Sequence, residues 1–295
     1  FKFKSSRRKI KKFELMNIQS LLNYSNKKLK QNLITSAMLD GEILLQKAIK
    51  KDRKFLILNP EKNIKKSKVQ LFKSLVRRRQ KGEPISYIIN KKEFWNNNFY
   101  INNDVLIPRP DSETLVEQVL KIYDKNAKKN ILDIGTGSGC LLLAILKERD
   151  NFFGTGIDIS KKALNVASFN AKVHQLSNRV KFYNSDVDKF LLGKYDLIIS
   201  NPPYIENYRL KYLDRGIISY EPRIALDGGH DGCSKVKNVI YRTSSLLKKN
   251  GKLILEIGFN QKKVVLNILK KNSFFVNKVQ KDYGMNDRCI ICTKI

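Results

Sequence analysis

Residues 130–149 read NILDIGTGSGCLLLAILKER. An apolar run ending at Ile134 meets Gly135, Gly137 and Gly139, and the apolar period then changes from strand-like to helical. Glycine lets a backbone turn tightly and approach a ligand without a Cβ clash. A strand, a glycine turn and a helix in immediate succession predict the first unit of a parallel sheet covered on both faces. The chain beyond continues the alternation. FFGTGID (152–158), VKFYNSD (180–186), YDLIISN (195–201) and KLILEIG (252–258) are short apolar runs separated by helical stretches such as KKALNVASFNAKV (161–173). FFVNKVQKDYG (274–284) and RCIICTKI (288–295) read as a closing strand pair.

A glycine loop alone does not name its ligand, because several nucleotide-binding folds use one. The acids around it narrow the choice. Asp133 lies two residues before the first glycine and suits an amino or hydroxyl group. Asp158 closes the next strand, where a carboxylate can take both ribose hydroxyls. Asp186, followed by Val187, ends a third strand and offers an acceptor for an adenine amino group. Carboxylates without a basic phosphate clamp suit a cofactor that carries no phosphate and is itself positive, S-adenosylmethionine (AdoMet). The competing reading, a glycine turn that serves only close helix–strand packing, does not account for the acid at the tip of the second strand.

The fourth run ends abruptly in Ser200-Asn201-Pro202-Pro203-Tyr204. Ligands of open parallel sheets sit beyond the carboxyl ends of the strands, so these residues belong in the cofactor's crevice. Prolines fix the backbone and withhold N–H donors, leaving carbonyl oxygens as acceptors. With the Asn201 side-chain oxygen they can hold a planar –NH2 by both hydrogens, while Tyr204 offers a flat face. Such a grip aims a nitrogen lone pair at a methyl sulfonium. No general base is needed to start the reaction, since the proton leaves after positive charge has developed; positioning and electrostatics do the rest. A plain Asn-Pro turn would also end a strand, but it would not need the glycine loop beside it.

The 295 residues carry a formal net charge of +31, spread along the whole chain, with about three Lys for each Arg. Abundant Lys, Asn and Ile fit AT-rich coding bias on a solvated surface better than a dedicated phosphate reader, which leans on Arg forks. KSSRRKIKK (4–12) and VRRRQK (76–81) are the best candidates for functional charge. No run approaches a membrane span, and no signal peptide is evident, so a cytoplasmic bacterial protein is expected, with an organellar transit remnant left open by the acid-poor start. Cys289 and Cys292 have metal-ligand spacing, but residues i and i+3 of a strand face opposite ways, so no metal is expected and buried thiols are the better reading. Residues 1–13 are expected to be a basic, disordered N-terminus. Apolar residues at helical spacing (Leu21, Leu22, Leu29; Met38, Leu39, Ile43, Leu44, Leu45; Leu71, Leu75, Val76) predict a helical bundle over 14–84, ended by Gly82-Glu83-Pro84. The Asn-rich stretch 85–107 predicts a β-hairpin linker, and 108–295 the cofactor-binding domain. Ser112 or Asp111 is placed to N-cap the helix TLVEQVLKIY (114–123).

From about residue 14 onward the chain resembles the release-factor glutamine methyltransferases, the HemK/PrmC group. The resemblance rests on RRRQKGEPISYI (77–88), KEFW (92–95), LIPRPDSETLVE (106–117), ILDIGTGSG (131–139), SNPPYI (200–205), YEPRIALDGGHDG (220–232) and DYGMNDR (282–288). NPPY alone also occurs in enzymes that methylate adenine and guanine amino groups; the set is far more specific. The resemblance implies a class I AdoMet-dependent methyltransferase with a Rossmann-like seven-stranded sheet, an N-terminal helical domain and a hairpin linker. It implies N5-methylation of the glutamine in the Gly-Gly-Gln motif of class I peptide chain release factors by a monomer, with no membrane or stable nucleic-acid partner. By motif, Gly135, Thr136, Gly137, Ser138 and Gly139 would cradle the methionine moiety, with Asp133 beneath them. Asp158 would take the ribose, with the adenine near Asp186 and Val187. Asn201, Pro202, Pro203 and Tyr204 would grip the glutamine amide, and Arg109, Pro110 and Glu113 would border the same pocket. Two alternatives stay open: a ribosomal protein uL3 glutamine methyltransferase, against which the IPRPDSE segment speaks, and a nucleic-acid amino-methyltransferase.

Overall fold

The computed structural model describes residues 16–295, so the expectation for the first thirteen residues lies outside it. The chain divides into two compact units, the first ending at Ile89 and the second running from Asn90 to Ile295.

The first unit is helical: α1 (Ile18–Lys30), α2 (Ala37–Ile49), α3 (Arg53–Leu58), α4 (Lys66–Gln80) and α5 (Ile85–Ile89). Asn17 caps α1, its side-chain oxygen accepting from the Ser20 N–H at 2.8 Å. Leu21, Leu29, Leu44, Leu45, Phe72, Leu75 and Val76 form the core of this unit. Met38, Leu39 and Leu71, which share the helical spacing, are instead exposed. Asp40 of α2 is buried and paired with Arg79 of α4 at 2.6 Å, which offsets the cost of burying its charge. Residues 85–89, expected to open the β-hairpin linker, form a helical turn. The Pro84 carbonyl accepts from Tyr87 and Ile88, and Ile85, Ile88 and Ile89 pack into the helical core, a spacing only a helix puts on one face.

The second unit opens with a hairpin, β1 (Lys92–Phe94) and β2 (Asn97–Phe99), followed by α6 (Glu113–Ile122). The hairpin turns on Trp95 and Asn96, both at positive φ, 48° and 54°. Two-residue turns of this hand match strand twist, but Trp pays for the left-handed conformation unless held there. It is held: its backbone N–H donates to Glu113 at 2.8 Å and its indole N–H to Glu148 at 3.0 Å.

The remaining elements alternate as expected: β3 (Lys129–Ile134), α7 (Cys140–Glu148), β4 (Phe152–Asp158), α8 (Lys161–Val173), β5 (Val180–Asn184), β6 (Tyr195–Ser200), α9 (Arg215–Tyr220), α10 (Ser234–Leu246), β7 (Leu247–Glu256), α11 (Lys262–Lys271), β8 (Phe274–Lys281) and β9 (Asp287–Lys294). Seven strands form one sheet in the order β5-β4-β3-β6-β7-β9-β8, parallel except where β9 runs antiparallel to both its neighbours. Neighbouring residues on a strand enter opposite cores. Ile131, Leu197 and Ile254 pack under α6 and α7, whereas Leu132, Ile198 and Leu255 pack under α10 and α11. Cys289 and Cys292 follow the same rule, one in each core, and burial raises both thiols, Cys292 to about 12. The register pairs Ile134 with Ser200 and with Ile157, so the tips of β3, β4 and β6 lie side by side. No helix among the described residues is long and apolar enough to cross a membrane.

Candidate active site

One cavity lies beyond those strand tips. It is lined by Gly135 and Gly137 from the loop after β3, Asp158 after β4, Asp186 and Val187 after β5, and Asn201, Pro202 and Pro203 after β6. Gly135 sits at φ 74° with open space where a Cβ would go, and Gly137 at φ 54° is nearly as open. Gly139 differs: a Cβ there would meet Leu143 and Ala167 at 3.2 and 3.3 Å, so it serves close packing of α7 on α8. Thr136 and Ser138 are buried and hold the loop from behind. Thr136 Oγ1 donates to Asp133 at 2.7 Å, and the Ser138 carbonyl accepts from Asn170 at 2.9 Å.

The acids are arranged differently from one another. Asp133 is fully buried; one of its oxygens takes the Thr136 hydroxyl and the other, Oδ1, has no partner. Burial pushes its carboxyl up to about 7, the Thr136 bond opposing and nearby Asp158 adding to the rise. Asp158 accepts from the Gly137 N–H at 2.9 Å and the Ser160 N–H at 2.8 Å, one on each oxygen, so each oxygen keeps a lone pair for a vicinal diol. Burial raises this carboxyl as well. Asp186 caps the turn after β5, accepting from the Asp188 N–H at 3.1 Å. These residues fit AdoMet. An orphaned buried carboxylate oxygen suits a cationic amino group, two open glycines leave room for the ligand backbone, and among the described residues no cation other than Lys235 lines the cavity.

Asn201 donates from Nδ2 to Ser112 Oγ at 3.0 Å, and Ser112 donates to Glu256 Oε2 at 2.6 Å. The Tyr204 hydroxyl donates to the other oxygen of Glu256 at 3.3 Å. Glu256, the last residue of β7, is fully buried and burial raises its carboxyl to about 7. Ser112 stands at the N-cap position of α6, one of the two residues expected there, but its hydroxyl is spent on Glu256 and Asn201 and makes no capping hydrogen bond. Arg109, Pro110 and Glu113 do not line the cavity. Arg109 pairs with buried Glu221 at 2.6 Å, and Glu113 accepts from Trp95 in the hairpin. Residues the sequence reading passed over do line it: Asp104, Val105 and Leu106 before the IPRP segment, and Pro222, Ile224 and Ala225 in YEPRIA.

A glycine-looped, acid-tipped cavity on a sheet of this order defines a class I AdoMet-dependent methyltransferase. A methyltransferase of known structure from Pyrococcus furiosus has the same fold, with a TM-score of 0.50 at 20% identity over 66% of this chain and 88% of that one. Residues 20–89 match the family model described as the PrmC N-terminal domain and residues 110–220 that of the methyltransferase small domain. The release factor glutamine methyltransferase of Coxiella burnetii is 39% identical over 254 residues, 85% of this chain and 90% of the relative. That of Buchnera aphidicola subsp. Baizongia pistaciae is 37% identical over 280 residues, 95% and 100% of the two chains. The chain also spans about half the length, 54%, of a bifunctional methyltransferase of Rickettsia bellii at 34% identity over 93% of its own length. The chain belongs to the release factor glutamine methyltransferase family.

Proposed function

We propose that the protein transfers the methyl group of AdoMet to the side-chain amide nitrogen of the glutamine in the Gly-Gly-Gln motif of class I peptide chain release factors. The observation that carries this reading is the orientation of Asn201: its nitrogen is committed to Ser112 at 3.0 Å, leaving its oxygen for the cavity. An acceptor there, beside prolines that offer only carbonyls, selects an –NH2 donor.

AdoMet, when bound, supplies an electrophilic methyl on a sulfonium. Gly135 and Gly137 would give it room, the unpartnered Asp133 Oδ1 would take its amino group, and Asp158 would take the ribose hydroxyls. Asn201 Oδ1 and the Pro202 carbonyl each hold one hydrogen of the substrate amide, which turns the nitrogen lone pair toward the methyl. Both acceptors stabilise the charge that develops on nitrogen as the N–C bond forms and the C–S bond breaks, and one amide proton then passes to water. Tyr204 does not itself line the cavity; its hydroxyl is tied to Glu256 at 3.3 Å, behind Asn201, Pro202 and Pro203.

The test incubates the protein with methyl-labelled AdoMet and, separately, a class I release factor, a uL3-type ribosomal protein, DNA and RNA. Label is expected on the release-factor glutamine. Label on uL3 or nucleic acid and none on the release factor would replace the reading.

A further inference from the structure

We infer that Glu256 is the positioning residue that decides which end of the Asn201 carboxamide faces the substrate, acting through Ser112. The inference rests on the reading that an –NH2 group of a glutamine amide is the methyl acceptor. Ser112 has one hydroxyl hydrogen, and at 2.6 Å that hydrogen goes to Glu256 Oε2. Its oxygen is then left only to accept, so the Asn201 neighbour at 3.0 Å must present Nδ2 to it and turn Oδ1 toward the cavity. An amide has two nearly isosteric ends, and nothing in its shape distinguishes them. The direction of this hydrogen-bond chain does.

The chain runs one way only while Glu256 is a carboxylate. A protonated Glu256 donates to Ser112, which frees the serine hydrogen for Asn201 Oδ1. The carboxamide then turns its N–H2 toward the substrate's own N–H2, donor against donor. The groups that face Glu256 are Ser112 and Asp111 from the segment before α6, Tyr204 from the loop after β6, and Arg288 with the Cys289 thiol from β9. Arg288 is shared with Asp282 at 3.0 Å and Asp111 at 3.6 Å, so its charge is largely answered elsewhere. Burial dominates and holds the Glu256 carboxyl near 7.

The test measures kcat for methylation of a release factor from pH 5.5 to 8.5 in the wild type, E256Q and S112A, with S-adenosylhomocysteine affinity by calorimetry and melting temperature for each. Wild-type kcat is expected to rise at least tenfold, with a midpoint near pH 7. The glutamine side chain of the target does not titrate in this range. E256Q and S112A are expected to lose at least tenfold at pH 8.5 and to lack that midpoint, with S-adenosylhomocysteine affinity within about twofold of wild type. Should E256Q fail to fold, S112A, a smaller change, carries the test. A flat wild-type profile, or variants that keep the wild-type rate and midpoint, overturns the inference alone. Absence of transfer by the wild type overturns the substrate reading, and this inference with it.

Discussion

Asn201 and Asp133 illustrate what single residues do at the tips of this sheet. Asn201 lines the cavity and, on the proposed function, holds the substrate amide. Asn201→Ala is therefore expected to reduce methyl transfer at least a hundredfold while AdoMet affinity stays within about twofold, because removing a preorganised partner of the developing charge costs about 3–4 kcal/mol of transition-state stabilisation. Parallel calorimetry and turnover measurements check this; equal loss of both would make the motif a structural strand stop. Asp133 speaks to stability. Its carboxyl is raised from 3.8 to about 7 in the folded protein. Between those values the folded state holds a proton that the unfolded chain has lost, so the group's contribution is full below about pH 4 and is lost as pH rises through 7. From pH 5 to 7 the loss is on the order of 2 kcal/mol. Asp133→Asn should therefore melt at a temperature that falls less than the wild type's over that interval, as scanning calorimetry would show. Parallel curves for the two proteins would mean that Asp133 is ionised in the fold. Both residues stood out in the sequence, because each lies within two positions of a glycine or proline at its own strand tip, while the roles given to them belong to the proposal. Ser112 and Glu256 were not: they are 144 positions apart, and only the folded sheet brings the end of β7 to the start of α6.

At the scale of elements, the sheet declared itself through the β-period and the glycine turn, while short segments deceived. Ile85–Ile89 is rich in β-formers, yet Pro84 and the i, i+3, i+4 spacing of its isoleucines make it a helical turn. Met38 and Leu39 repeat at helical intervals but fall on the face of α2 that the other helices do not cover, which spacing alone cannot assign. Glu113 belongs with these. Expected at the pocket, it accepts the backbone N–H of Trp95 and so holds a Trp at φ 48° in the hairpin turn. Glu113→Ala should leave that N–H and the strained turn unsupported, at a cost of about 1–3 kcal/mol. The expected outcome is a lower melting temperature with kcat and AdoMet affinity near wild type. Unchanged melting with a raised KM for the release factor would instead return Glu113 to the pocket border.

For the molecule as a whole, charge is the property that neither fold nor site accounts for. A net charge of +31 on 295 residues is carried mainly by lysines along the entire chain, and the cavity itself is lined by acids. Ion pairs such as Arg79–Asp40, Arg109–Glu221 and Arg288–Asp282 set an arginine against a buried carboxylate, which a planar fork satisfies. Lysine, with its compact and strongly hydrated charge, fits the surface role that AT-rich coding would hand it. Such a surface repels itself when the molecule is compact and does so less when the chain expands, so it opposes folding at low salt. The Debye length shrinks from about 30 Å at 0.01 M to about 3 Å at 1 M, which removes most of that repulsion while leaving buried pairs nearly untouched. Raising sodium chloride from 0.02 to 0.5 M should therefore raise the melting temperature, by roughly 2–4 °C for each ~1 kcal/mol of repulsion relieved in domains of this size. Methylation of the release factor, measured in the same series, separates the two meanings of the charge. A rate per bound substrate that holds while KM also holds marks the lysines as a solvated coat. A KM that climbs steeply with salt as the melting temperature rises would assign them to docking an acidic partner surface.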